Sequence, residues 1–68
     1  MKIVVNGEIK ELSEGATVAE VIEMLGRDPA GRGIAVAVNG DVVARGTWHV
    51  TLLQDDDKVE VLAAVGGG

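Results

Sequence analysis

Two Asn-Gly pairs, Asn6-Gly7 and Asn39-Gly40, constrain this chain more than any other feature. Asn-Gly is the strongest short-range hairpin signal. The two-residue turn that matches strand twist needs positive φ at both positions, and these residues accept it. Each pair follows an apolar, β-branched segment and precedes a return strand. Lys2-Ile3-Val4-Val5 enters the first turn and Glu8 to Leu12 leaves it; Ile34 to Val38 enters the second and Asp41 to Ala44 leaves it. Between the hairpins lies one helical signal. Thr17-Val18-Ala19-Glu20 fits a capping box, in which hydroxyl and carboxylate satisfy the first free N–H groups reciprocally. Val18, Val21, Ile22 and Leu25 recur at i, i+3, i+4 and i+7, one apolar stripe. Gly26 stands where a left-handed residue ends a helix. The spacing predicts a helix over 17–25 with the whole stripe in the core.

Beyond the second hairpin, Arg45 to Gln54 is irregular, with Trp48 and Leu52 as the expected anchors of a short helical turn or loop. Asp55-Asp56-Asp57 reads as a turn and Lys58 to Ala64 as the last strand. Strand side chains alternate between faces. Val59, Val61 and Ala63 therefore share one face, and Lys58, Glu60 and Leu62 the other. Likewise Ile34, Val36 and Val38 oppose Ala35 and Ala37. A single helical stripe covers one sheet face, which is a two-layer α+β domain. Hairpin, helix, hairpin and strand within 68 residues predict a β-grasp (ubiquitin-like) fold: a mixed four- or five-stranded sheet, its first and last strands adjacent at the centre, with one main helix on one face. The expectation is a domain over residues 1–64 and a flexible glycine tail over 65–68. The chain has one Trp and no Phe or Tyr, so Val, Ile and Leu must build the core.

Composition excludes several function classes. A net charge of −5 and a pI near 4.5 oppose nucleic-acid binding, which demands Lys and Arg patches, and suit a basic partner surface. With no cysteine there is no disulfide, thiolate metal site or Cys nucleophile. No signal peptide and no apolar run of bilayer length are present, so the expectation is a cytoplasmic chain without membrane association. The loop Arg27 to Gly33 carries Pro29 and two glycines but matches no phosphate-binding spacing. His49 has no partners for a triad or a zinc site, Asp55 to Asp57 lack EF-hand spacing, and Trp48 lacks the basic or aromatic neighbours of a stacking platform. Glu8, Glu11, Glu20 and Glu23 read as solvated faces rather than paired catalytic carboxylates. No catalytic residue and no metal site are expected.

What remains is the end of the chain, Val65-Gly66-Gly67-Gly68. Such a tail is either an ordinary frayed terminus or a thin arm. Extended, four residues reach at most about 13 Å, and bare backbone passes where side chains would block. By elimination, the group with distinctive chemistry is the Gly68 α-carboxylate. Val4, Ala35, Ala37 and Leu62 are expected on the sheet face away from the helix. They are either a partner-docking patch or scattered surface apolarity.

Val36-Ala37-Val38-Asn39-Gly40, then Val42-Val43, Arg45 and Trp48, then Asp57-Lys58-Val59-Glu60-Val61, and finally Ala64-Val65-Gly66-Gly67-Gly68 resemble the ThiS-type sulfur carriers of thiamine biosynthesis. The resemblance covers essentially the whole chain. The terminal Gly-Gly is shared with molybdopterin sulfur carriers and ubiquitin-like modifiers, so a carrier in another sulfur pathway and a protein modifier stand as alternatives, as does a binding module with an inert tail. Ala44 stands where the family often has Pro, and Asp56 where it usually has Gly; Asp tolerates left-handed backbone, so the turn survives. The resemblance implies a carrier rather than an enzyme, holding no cofactor itself. A ThiF-like adenylyltransferase would use ATP and Mg²⁺ to activate Gly68, with Val65, Gly66 and Gly67 threading its channel. A persulfide derived from a cysteine desulfurase would supply sulfur, and thiazole synthase would receive it from a Gly68 thiocarboxylate.

Overall fold

The computed structural model describes residues 1–29 and 33–63. Ala64, expected in the last strand, and the expected tail Val65–Gly68 lie outside the described residues. Within them the chain forms five strands, one helix and a 3₁₀ turn: β1 Lys2–Val5, β2 Glu8–Glu11, α1 Val18–Met24, β3 Ile34–Val38, β4 Asp41–Val43, the 3₁₀ turn Arg45–Thr47, and β5 Lys58–Ala63.

Both Asn-Gly pairs turn as expected. Asn6 and Gly7 have φ of 48° and 84°; Asn39 and Gly40 have 51° and 87°. The resulting hairpins, β1–β2 and β3–β4, flank β5 in a sheet of order β2-β1-β5-β3-β4. β1 runs parallel to β5, with Val4 opposite Lys58 and Val5 opposite Val59. β3 runs antiparallel to β5 from Ile34–Ala63 to Val38–Val59. First and last strands are adjacent at the centre, the β-grasp order.

α1 lies within the expected 17–25, with Thr17 and Leu25 as its caps rather than its ends. The Thr17 hydroxyl accepts from the Glu20 N–H at 3.3 Å. The next donors are taken by the connector: Val18 N–H donates to the Thr51 carbonyl and Ala19 N–H to the Trp48 carbonyl. At the other end Gly26, at φ 78°, donates to the Glu23 carbonyl, and Arg27 donates to Ile22. This is the Schellman pattern that a glycine at this position closes.

The core comprises Ile3 and Val5 from β1, Val18, Val21 and Ile22 from α1, Val36 from β3, Val59 from β5, and Trp48 and Leu53 from the connector. Two expected core residues are not in it. Leu25 is 37% exposed, because it is the C-cap, where the chain leaves the helical path (ψ 4°) before the periodicity can bring it over the sheet. Leu52 is exposed and Leu53 is buried. Thr17 and Leu52 form an isolated antiparallel bridge, and Leu53 N–H donates to the Ala16 carbonyl. That extended segment alternates its faces, so Leu53 rather than Leu52 turns inward. Trp48, which has the largest fully buried side chain, is the anchor expected of it.

Candidate functional site

The site is the place where β5 delivers the chain toward Gly68. Three sets of bonds hold β5. At its start, the Asn39 carboxamide oxygen accepts from the Lys58 N–H at 3.0 Å, and Asn39 N–H donates to the Lys58 carbonyl at 2.7 Å. The acidic turn ties β1 to the same end. Asp55 Oδ1 accepts from the Lys2 N–H at 2.7 Å, and Asp56 N–H donates to the Lys2 carbonyl. Asp57 accepts from Asn39 Nδ2 at 3.0 Å and from the Gln54 N–H at 2.8 Å. Asp56 sits at φ 70°, the left-handed turn position anticipated for it. Its carboxylate lies 3.1 Å from Lys2 Nζ, and chiefly through that hydrogen bond it raises the Lys2 ammonium above its ordinary range. The three aspartates thus serve as backbone and ammonium acceptors. Among the described residues no cluster of His, Cys, Asp and Glu is arranged to hold a metal.

Midway along β5 the Asn6 carboxamide engages Val61 in both directions. Asn6 Oδ1 accepts from the Val61 N–H at 2.8 Å, and Asn6 Nδ2 donates to the Val61 carbonyl at 3.2 Å. On the opposite edge, β3 pairs with β5 as far as Ala63. The described strand therefore ends five residues before Gly68, with Asn6 on one edge of β5 at Val61 and β3 on the other.

Of the four residues expected on the open face, three come together. Ala35 lies opposite Leu62 and Ala37 opposite Glu60 across β3–β5, while Ala37 lies opposite Val42 across β3–β4. Leu62 is 69% exposed and Val42 81%. Val42 completes this cluster; its place opposite Ala37 follows from the register of the second hairpin, which the sequence alone does not fix. Val4 is set apart. Its neighbours are Ile9, 66% exposed, on β2 and Lys58 on β5. Lys58 and Glu60 run between the two apolar groups as a charged strip. His49 is exposed, as expected of a surface histidine, and Glu8 and Glu11 on β2 and Glu20 and Glu23 on α1 are all exposed. Among the described residues no charged side chain is buried, and the geometry offers a presented strand end beside an exposed apolar face. Among the described residues no helix is long and apolar enough to cross a membrane.

The model of the ThiS family matches residues 3–68, a span that takes in the terminal glycines. The chain is 32% identical to the sulfur carrier protein ThiS of Escherichia coli over 68 residues, with both chains fully covered. It is 41% identical over its whole length to a Magnetococcus marinus protein named thiazole synthase, and 37% identical to one from Paramagnetospirillum magneticum; in each it spans only 20% of the relative's length. A crystal structure of the thiamine biosynthesis protein ThiS from Geobacter metallireducens superposes with a TM-score of 0.79 at 31% identity, covering both chains completely.

Proposed function

We propose, from the premise that the chain belongs to the ThiS family, that it is a sulfur carrier for thiamine biosynthesis with the carboxylate of Gly68 as its carrier atom. The observation that carries this reading is a family match that runs to Gly68, joined to a central strand whose described end points the chain toward that residue. A carboxylate is a poor electrophile. Activation requires an oxygen of Gly68 to attack the α-phosphate of ATP and expel pyrophosphate, giving an acyl-adenylate. The terminal sulfur of a persulfide then attacks the carbonyl carbon and displaces AMP. A second thiol cleaves the resulting S–S bond and leaves the thiocarboxylate. ATP, Mg²⁺ and the thiols belong to partners: a ThiF-like adenylyltransferase and a cysteine desulfurase-derived persulfide donor. The chain acts with them in the cytoplasm.

Thiazole synthase is the proposed acceptor of the sulfur. The two proteins bearing that name that contain a segment similar to this whole chain support the pairing, since a fused domain works beside the protein it is joined to. Docking is assigned to Ala35, Ala37, Val42 and Leu62, with Val65, Gly66 and Gly67 threading the partner's channel. Glu60 at the edge of that patch suits a basic rim on the partner. The test is the intact mass of the protein isolated from its host. A carrier shows a species in which one oxygen is replaced by sulfur. A ladder of larger conjugates, with no sulfur-bearing species, would instead favour a protein modifier.

A further inference from the structure

β1 covers one edge of β5 only as far as Val59, because the chain turns away at Asn6-Gly7. The last backbone bond on that edge is Asn6 N–H to the Val59 carbonyl, 2.9 Å. Two residues further, where a longer β1 would have supplied another peptide, the Asn6 carboxamide takes its place. A carboxamide carries the same donor and acceptor as a peptide group. It presents both to Val61, at 3.2 Å and 2.8 Å. Asn6 sits at a left-handed φ of 48°, and its side chain reaches on past the end of β1 to Val61. The second hairpin has a matching asparagine. Asn39, at φ 51°, also bonds β5, but at its first residue, Lys58. Asn39 thus bonds β5 at its first residue and Asn6 at its fourth, two residues before the described end of the strand, and of the two asparagines Asn6 is the nearer to where the chain leaves for Gly68.

Resting on the carrier reading, we propose that Asn6 is a positioning residue. It fixes the direction in which β5 leaves the domain relative to the face bearing Ala35, Ala37 and Leu62, and so aims Gly68 at the activating partner. Val61 lies seven residues before Gly68. Drawn out straight in the partner's channel, a segment of that length would span about 23 Å, so a swing of about 3° at its root would displace its tip by about 1 Å. A displacement of about 1 Å is enough to cost about 100-fold in rate when two groups must meet in attack geometry.

The test compares Asn6→Gly with Asn39→Gly. Glycine keeps the positive φ each turn needs, so both hairpins close; each variant loses its carboxamide grip on β5, and Asn39→Gly loses the bond to Asp57 as well. Each is assayed with the host's ThiF-like adenylyltransferase, ATP, Mg²⁺ and labelled pyrophosphate, measuring exchange against carrier concentration. Asn6→Gly is expected to lower the saturating rate at least about tenfold, with the carrier KM within about threefold of wild type. Asn39→Gly is expected to change neither beyond about twofold, although both melt below wild type. In the free proteins, backbone order parameters at Leu62 and Ala63 should fall in Asn6→Gly alone. Equal saturating rates for wild type and Asn6→Gly, or an equal loss in the two variants, would overturn the positioning role and leave the carrier reading intact. Absence of exchange by the wild type would instead overturn the carrier reading.

Discussion

The indole N–H of Trp48 donates to the carbonyl of Val43 at 3.0 Å while its ring lies buried in the core. The two residues bracket the 3₁₀ turn Arg45–Thr47, so this one side chain ties the end of β4 to the centre of the domain. Trp48 also serves α1 through its backbone, accepting the Ala19 N–H.

Trp48→Ala is therefore expected to be among the most damaging single changes, costing about 3–5 kcal/mol. A domain of this size has about 3–10 kcal/mol of total stability, so the variant should be partly unfolded at 25 °C. Trp48→Phe retains most of the apolar volume and loses the donor, a cost of about 0.5–1.5 kcal/mol for the bond. Guanidinium melts measure both. A Trp48→Ala variant within about 1 kcal/mol of wild type would remove Trp48 from its place as the main anchor.

Leu25 and Ile22 separate helix periodicity from helix length. Ile22→Ala should cost about 2–5 kcal/mol, as for a fully buried side chain. Leu25→Ala should cost less than about 1 kcal/mol, because the C-cap residue is already part-exposed. Equal losses in the two melts would restore Leu25 to the core.

These residues also mark how far the sequence was legible. The hairpins were readable because Asn-Gly needs no tertiary context to specify its turn. The helix was readable because its cap, stripe and C′ glycine agree. Strand alternation correctly put Ala35, Ala37 and Leu62 on one face, and the order of the elements gave the sheet. Leu25 was misread because a periodic stripe does not say where the last turn ends, although Gly26 did say so. Leu52 was misread because a single connector offers no periodicity: which of two adjacent leucines turns inward is set by the Ala16–Leu53 bond and the Thr17–Leu52 bridge, both long-range. Val4 was grouped with the docking patch by face alone. Only the strand order, with Lys58 and Glu60 lying between, separates it.

The separation of the two apolar groups has a measurable consequence. Leu62→Glu should weaken binding to the ThiF-like adenylyltransferase by at least about tenfold, or about 1.4 kcal/mol, by placing a charge on the contiguous patch. Ile9→Glu, on the group beyond the charged strip, should change binding by less than about 0.5 kcal/mol. Both residues are exposed, so both variants should melt near wild type. Calorimetric titration checks the pair. Comparable losses for Ile9 and Leu62 would extend the docking face across β1 and β2, whereas no loss for Leu62 would remove it from that face.

Sulfur loading of a chain lacking Gly68 tests the central claim most directly. Wild type and the truncated protein are incubated with adenylyltransferase, ATP, Mg²⁺ and persulfide donor, and read by intact mass, with a thermal melt of each. Removal of one residue withdraws the terminal carbonyl carbon by roughly 3.3 Å, well beyond the misplacement that attack geometry tolerates. The wild type should gain one sulfur in place of oxygen, and the truncated chain should melt like wild type yet gain none. A truncated chain that is folded and still acquires sulfur would show that the Gly68 carboxylate is not the carrier atom.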